Sequence, residues 1–356
     1  MDQSDFTSPS VASLINVTGQ VQGVGFRPFI YRIAQQYRIN GWVQNRQGEV
    51  LIHAEGFEEN LKTFTSAIIG SAPPLARPEI AKISSESVEG FQQFTIKDSA
   101  SGTHADIHLP ADQFTCSDCL EELNNPSDRR YNYPFINCTQ CGPRYTIIES
   151  LPYDRPATSM AGFPLCSECG AEYQNPSDRR FHAEPIACPV CGPQLSFFSN
   201  GQSISNSEAV LNETVKRLQQ GEVVAVKGIG GYHLLCDAAN EAAVKLLRQR
   251  KRRPDKPLAV MFPQRGDSLL DDVLDELRVT DVEAMTLRSA ERPIVLCRKS
   301  IEGKLAPSIA PGLAEIGVML PYSPLHHLLL SRFEGPLVAT SGNISGEPVI
   351  TDNHEA

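Results

Sequence analysis

The spacing of hydrophobic positions changes several times along the first hundred residues. Leu14 to Thr18 reads as a strand. Phe26, Phe29, Ile30, Ile33, Ala34 and Tyr37 then recur at the three-and-four spacing of one helix face. Residues 39–45 and 49–55, the latter with Val50, Ile52 and Ala54 alternating, read as two strands paired around a turn at Gln47-Gly48. Leu61, Phe64 and Ile68 mark a second helix, and residues 81–88 and 94–97 supply further strand segments. The order βαββαβ predicts a ferredoxin-like unit over residues 14–98.

That texture stops at residue 99. Residues 99–198 are rich in Cys, Pro, Asn, Asp and Arg and carry little periodicity, so they cannot build a large apolar core and need another source of folding energy. The α/β texture resumes near Ser205. Ser205 and Glu208 fit a capping box ahead of a helix carrying Leu211, Val215 and Leu218, with Gly221 as its stop. Residues 223–226, 258–262, 293–297 and 337–340 read as buried strands, and 240–250 as a helix.

Bulk properties narrow the possibilities. A chain of 356 residues with 41% hydrophobic content predicts two or three domains with real cores. The formal net charge of -10 argues against a broad nucleic-acid-binding face, while leaving room for local basic clusters. No apolar run approaches the roughly 20 residues of a membrane helix, and MDQSDFTSPS lacks the basic and apolar regions of an export signal, so a cytoplasmic protein is expected.

Eight of the ten cysteines form four CxxC pairs. Cys116/Cys119 and Cys138/Cys141 are matched, fifty residues on, by Cys166/Cys169 and Cys188/Cys191. Asn125-Pro126-Ser127-Asp128-Arg129-Arg130 recurs as Asn175-Pro176-Ser177-Asp178-Arg179-Arg180, so the module is duplicated. A CxxC turn can aim two thiolates at one ion, and two such turns complete a closed tetrahedron. Two structural zinc ions are therefore expected, in preference to disulfides or an iron–sulfur cluster. Duplication favours each repeat closing on its own ion, with interleaved pairing as the alternative. His182, close to the second set, is expected to lie outside it. The two DRR runs could bind an anion or brace the ribbons.

Gly19-Gln20-Val21-Gln22-Gly23-Val24-Gly25-Phe26-Arg27 joins the first strand to the first helix. Such a loop offers backbone N–H groups to an anion, and Arg27 adds a forked cationic contact. Together with Gly41-Trp42-Val43-Gln44-Asn45, this segment resembles the acylphosphatase family. The resemblance implies that residues Gln22, Gly23, Val24, Gly25 and Phe26 cradle a phosphate with Arg27, and that Asn45 positions the attacking water.

The third segment carries Lys251-Arg252-Arg253-Pro254 and, far along the chain, Ala339-Thr340-Ser341-Gly342-Asn343-Ile344-Ser345-Gly346. A basic cluster paired with a hydroxyl- and amide-rich loop suits a polyphosphate. The combination resembles the KxR and SxN signatures of the YrdC/Sua5 family, which implies ATP binding by Lys251, Arg253, Ser341 and Asn343, with magnesium accompanying the nucleotide. Lys227-Gly228-Ile229-Gly230-Gly231-Tyr232-His233 departs from the stand-alone enzymes of that family and puts their threonine substrate in doubt. No Walker A motif is present. Cys236 and Cys297 are expected in the core, and His326 and His327 are expected to be structural.

The order of these parts resembles the HypF-type carbamoyltransferases of nickel–iron hydrogenase maturation. The resemblance implies hydrolysis of carbamoyl phosphate to carbamate, ATP-dependent carbamoyl adenylate formation, and carbamoyl transfer to a HypE-type partner for cyanide synthesis. The expected architecture is α+β and multidomain. It comprises a ferredoxin-like acylphosphatase domain (14–98), tandem four-cysteine zinc ribbons (99–198) and a YrdC-like α/β domain (199–356). The last is expected to stop before its sheet is complete, and the family's transfer domain is unmatched. Rival readings are a Sua5-type enzyme making threonylcarbamoyl adenylate for tRNA modification, and a non-catalytic zinc scaffold.

Overall fold

The computed structural model describes residues 11–46, 49–73, 75–97, 111–150, 153–344 and 346–356. The chain divides into two compact units, each made from two stretches: Met1–Asp112 with Asn137–Ile186, and Gln113–Ile136 with Ala187–Ala356.

In the first unit, β1 (Val11–Gln20), α1 (Phe26–Gln36), β2 (Asn40–Arg46), β3 (Glu49–Gly56), α2 (Glu58–Gly70), β4 (Arg77–Glu86) and β5 (Phe94–Ile96) follow in order. The sheet order is β4-β1-β3-β2-β5. Its first four strands are antiparallel neighbours, the ferredoxin-like arrangement, and β5 adds a parallel edge beside β2. Register explains the hydrophobic pattern. Ile15 lies opposite Ile52, and Ile52 opposite Val43, so all three share one face. Phe26, Phe29, Ile30, Phe64 and Ile68 from the two helices cover that face in one buried cluster. The turn expected at Gln47-Gly48 lies outside the described residues.

The duplicated segments fold alike. Helices α3 (Ser117–Asn124) and α4 (Ser167–Gln174) each begin one residue after the first cysteine of a CxxC pair. The NPSDRR runs that follow are turns with a readable mechanism. Asn125 and Asn175 side chains accept from the N–H of Ser127 and Ser177, each at 3.0 Å, and Asp128 and Asp178 accept from the N–H of Arg130 and Arg180 at 2.7 and 2.8 Å. The second arginine of each run is then buried, and it reaches the opposite repeat. Arg130 Nε donates to Ala187 O at 2.9 Å, and Arg180 Nε donates to Asn137 O at 3.1 Å. Each acceptor is the residue immediately before a second CxxC pair. The structure therefore favours bracing over anion binding for these arginines.

The rest of the second unit begins with a hairpin of β6 (Phe197–Ser199) and β7 (Gln202–Ile204). It continues through α5 (Ser207–Gln219), β8 (Val224–Gly228), β9 (Gly231–Asp237), α6 (Glu241–Arg250), β10 (Ala259–Met261), α7 (Asp271–Glu276), β11 (Leu277–Arg278), α8 (Asp281–Arg288), β12 (Val295–Lys299), β13 (Glu315–Met319), α9 (Pro324–Phe333) and β14 (Leu337–Ser341). The seven-stranded sheet runs β11-β12-β13-β10-β14-β9-β8, with β10 and β13 its parallel pair.

Several expectations change here. The α5 cap is Asn206, whose side chain accepts from Ala209 N–H at 3.0 Å; Glu208, freed of a capping role, binds Arg332. Residues 223–226 do not form a buried strand, because β8 is the last strand of the sheet. β12 is likewise only partly covered, with Leu296 59% exposed. β14, which leads into the SxN loop, is interior, paired on its two sides by β10 and β9. Among the described residues, no helix is long and apolar enough to cross a membrane.

Candidate functional site

Three sites emerge from the residues upward. The first is the loop between β1 and α1. Val21 and Val24 are each 2% exposed and pin the loop to the core, and Phe26 is buried beneath it. Gly23 and Gly25 take left-handed φ values of 68° and 70°, which only glycine adopts without cost, and Gly25 is the N-cap of α1. Left-handed residues so closely spaced turn successive N–H groups toward one side, at the end of a helix already favouring negative charge. Arg27 is the second residue of α1 and half-buried.

Asn45 is brought to the same end of the sheet by register. Val17 pairs with Val50, and Val50 with Asn45, so the three side chains form one row across β1, β3 and β2. Val17 is three residues from the end of β1, where the loop springs. The row faces the helices, since Val17 and Val50 belong to the core beneath them. Asn45 Oδ1 is buried and has no hydrogen-bond partner. A leftover acceptor at that depth is costly in a site with only structural duties.

The second site is a pair of thiolate clusters. The Sγ atoms of Cys116, Cys119, Cys138 and Cys141 lie within 4.8 Å of one another, as do those of Cys166, Cys169, Cys188 and Cys191. The repeats thus close on their own cysteines. Cys138 and Cys141 Sγ are 3.8 Å apart, and Cys188 and Cys191 3.7 Å. A zinc–sulfur bond of about 2.3 Å in a tetrahedron requires an edge of about 3.8 Å, so the donor sets fit zinc. Four thiolates fill that shell and leave no position for a reacting water. His182 is exposed, its ring tilted against Tyr173 and edge-on to Phe181, and it lies outside the cluster. Cys236 and Cys297 are core residues whose thiols burial pushes up to about 12 and about 11.

The third site joins distant parts of the second unit. Lys251 caps the end of α6, and its Nζ donates to Ser341 O at 2.6 Å and Asn343 O at 3.2 Å. Ser341 Oγ donates to Asn343 Oδ1 at 2.6 Å, and Arg253 reaches Thr340 Oγ1 at 3.4 Å. The two signatures therefore meet, though ninety residues separate them. A cavity of about 450 Å³ opens beside them, with Arg253, Lys256, Thr340 and Ser341 among its polar lining residues and Ile294 and Leu296 among its apolar ones. Lys251 and Asn343 are not among the lining residues. Burial, with Arg253 and Lys256 nearby, holds the Lys251 ammonium below its usual range. A polyanion would relieve that crowding of positive charge.

His233, the last residue of the Lys227–His233 run, also lines this cavity, although the sequence pattern assigned it no role of its own. It sits on β9 directly opposite Ser341. Its ring lies 5.6 Å from that of His326, and Tyr322 Oη is 3.4 Å from its ring nitrogens. Burial holds His233 below the usual histidine range and His326 at about 3, so both act as neutral hydrogen-bonding groups near pH 7. Only the β9–β14 register reveals this neighbour of the SxN loop. Lys227, on β8, donates to Asn353 Oδ1 at 2.8 Å.

Comparison with known proteins agrees with this division. The acylphosphatase family model matches residues 14–96, the HypF finger model residues 115–148 and 165–198, and the Sua5/YciO/YrdC model, described as telomere recombination, residues 216–356. An acylphosphatase of Bacillus licheniformis is 43% identical over 83 residues, covering 23% of this chain and 92% of that protein. A crystal structure of full-length HypF in the phosphate- and nucleotide-bound form superposes with a TM-score of 0.85 at 42% identity, over 98% of this chain and 45% of that one. The carbamoyltransferase HypF of Synechocystis sp. is 52% identical over 343 residues, 96% of this chain and 44% of that protein. Spanning less than half the length of these full-length relatives, the chain belongs to the HypF carbamoyltransferase family.

Proposed function

We propose that the chain carries the two early reactions of carbamoyl transfer in nickel–iron hydrogenase maturation. In the first, water attacks the phosphorus of carbamoyl phosphate, the P–O bond to the carbamoyl group breaks, and phosphate and carbamate leave. The 22–26 loop and Arg27 hold the phosphoryl oxygens, and Asn45 accepts from the attacking water. The work is positioning and charge stabilisation without a covalent intermediate. The observation that carries the reading is the row Val17–Val50–Asn45, which sets an unpaired amide oxygen at the end of the sheet where the glycine loop begins.

In the second reaction, a carbamate oxygen attacks the α-phosphorus of ATP and pyrophosphate departs. Lys251 and Arg253 neutralise the polyphosphate, Ser341 and Asn343 fix the loop, and magnesium accompanies the nucleotide. Carbamate is short-lived in water, which favours performing both steps within one protein. The product is passed to a HypE-type partner by the whole protein. Two zinc ions, held by the eight cysteines, are structural.

The nucleotide half is tested by ATP binding to the zinc-loaded chain. Arg253→Ala is expected to weaken binding at least tenfold while leaving phosphate release from carbamoyl phosphate unchanged. Equal ATP affinity in parent and variant would place the nucleotide elsewhere.

A further inference from the structure

The loop between β1 and α1 is held from outside its own domain. Arg144, three residues beyond the last cysteine of the first repeat, is 2% exposed. Its guanidinium donates to Cys138 O at 2.7 Å, Cys141 O at 3.0 Å and Pro143 O at 2.8 Å, and its Nε donates to Gly23 O at 3.4 Å. Thr139, inside the same CxxC turn, lies against Gly25 so closely that a Cβ there would stand 2.7 Å from Thr139 Oγ1. Thr139 is fixed in turn, since its hydroxyl donates to Arg179 O at 3.0 Å and its N–H to the same carbonyl at 3.3 Å.

Geometry turns these contacts into a functional statement. In a trans peptide the C=O and the following N–H point in opposite directions. Anchoring Gly23 O toward Arg144 therefore aims the Val24 N–H away from Arg144. Thr139 closes the far side of Gly25, the second left-handed glycine, so both hinge points of the loop rest on the ribbon. A lone loop with two glycines would otherwise sample many conformations and lose that freedom each time an anion bound.

We propose that Thr139 and Arg144 of the first zinc ribbon are positioning residues of the acyl phosphate site, holding the 22–26 loop in its anion-binding shape. This inference rests on the reading of that loop as the phosphate cradle. Because the loop holds phosphate in the ground state and the transition state alike, loosening it raises KM more than it lowers kcat.

The test uses the full zinc-loaded chain, with inorganic phosphate as the binding probe and zinc content measured on the same samples. Thr139→Val removes the hydroxyl tether at constant shape, and Arg144→Gln removes the fork. Both are expected to weaken phosphate affinity and raise KM about tenfold, with kcat within about twofold and two zinc ions retained, the loss expected for one hydrogen bond. Thr139→Ser, which keeps the hydroxyl, is expected to match the parent. Should Arg144→Gln shed zinc, Thr139→Val decides the matter. Unchanged phosphate affinity in Thr139→Val, while Arg27→Ala loses it, overturns the inference and leaves the site intact. Phosphate affinity that falls only in step with zinc content also overturns it. Normal phosphate binding in Arg27→Ala removes the site itself, and the inference with it.

Discussion

The ferredoxin-like sheet and the duplicated ribbons solve the same folding problem with opposite materials. In the sheet, backbone groups pair strand to strand, and the interior can be left to Ile15, Ile30, Val43, Ile52 and Phe64, all fully buried. The ribbons have short helices and turns, so many carbonyls lack a regular partner. Their interior combines apolar side chains such as Leu123, Ile136 and Ile186 with buried arginines. Arg130, Arg144 and Arg180 are buried, and each donates to main-chain carbonyls beside the cysteine turns. One guanidinium offers five donors in a fixed fork, which serves several stray carbonyls at once. Where a ladder exists, apolar burial suffices. Where it does not, thiolates on a metal supply the energy and arginines settle the hydrogen bonds.

That contrast is broken most severely at a metal ligand. Cys138→Ser is expected to release one of two zinc ions and unfold the first ribbon, since ligation supplies on the order of 10 kcal/mol to such small sites. The apolar core of the sheet lies outside the lost ligand set, so its far-ultraviolet signature and cooperative melting should persist. Metal analysis together with a thermal melt checks both halves. Retention of two zinc ions would sink the assignment of Cys138.

A smaller effect sharpens the comparison. Arg180→Met keeps much of the apolar stem and removes the donor to Asn137 O, an expected cost of about 1–3 kcal/mol. Arg180 belongs to the second repeat, yet the loosened turn belongs to the first. In a chain whose second site is disabled by Cys191→Ser, zinc transfer from the remaining site to a chromogenic chelator should therefore speed up with Arg180→Met. An unaltered rate would mean that the cross-brace is idle.

The two regions also differed in how far they could be read in advance. Alternation in Val50, Ile52 and Ala54 and the helical spacing from Phe26 to Tyr37 express burial on one face, and the observed elements follow them. The cysteine sets were equally legible, because ligand spacing is a local property. Most of what failed depends on neighbours distant in sequence. Residues 223–226 look apolar enough for an interior strand, but β8 became the sheet edge. Ser205 and Asn206 are both capping residues, and one position decided between them. His233 joins the cavity beside the SxN loop only through its pairing with Ser341. Arg144 and Thr139 sit in a segment without periodicity, so nothing in their spacing points to Gly23 and Gly25.

The central claim is that the glycine loop and Arg27 form an acyl phosphate site on the first unit. Its most direct measurement is phosphate release from carbamoyl phosphate by the zinc-loaded chain, compared with Arg27→Ala. The expected result is steady hydrolysis by the parent and a loss on the order of 100-fold in the variant, with zinc content unchanged, because one charge contact to the transition state has gone. Near-equal turnover by the two proteins would contradict the account.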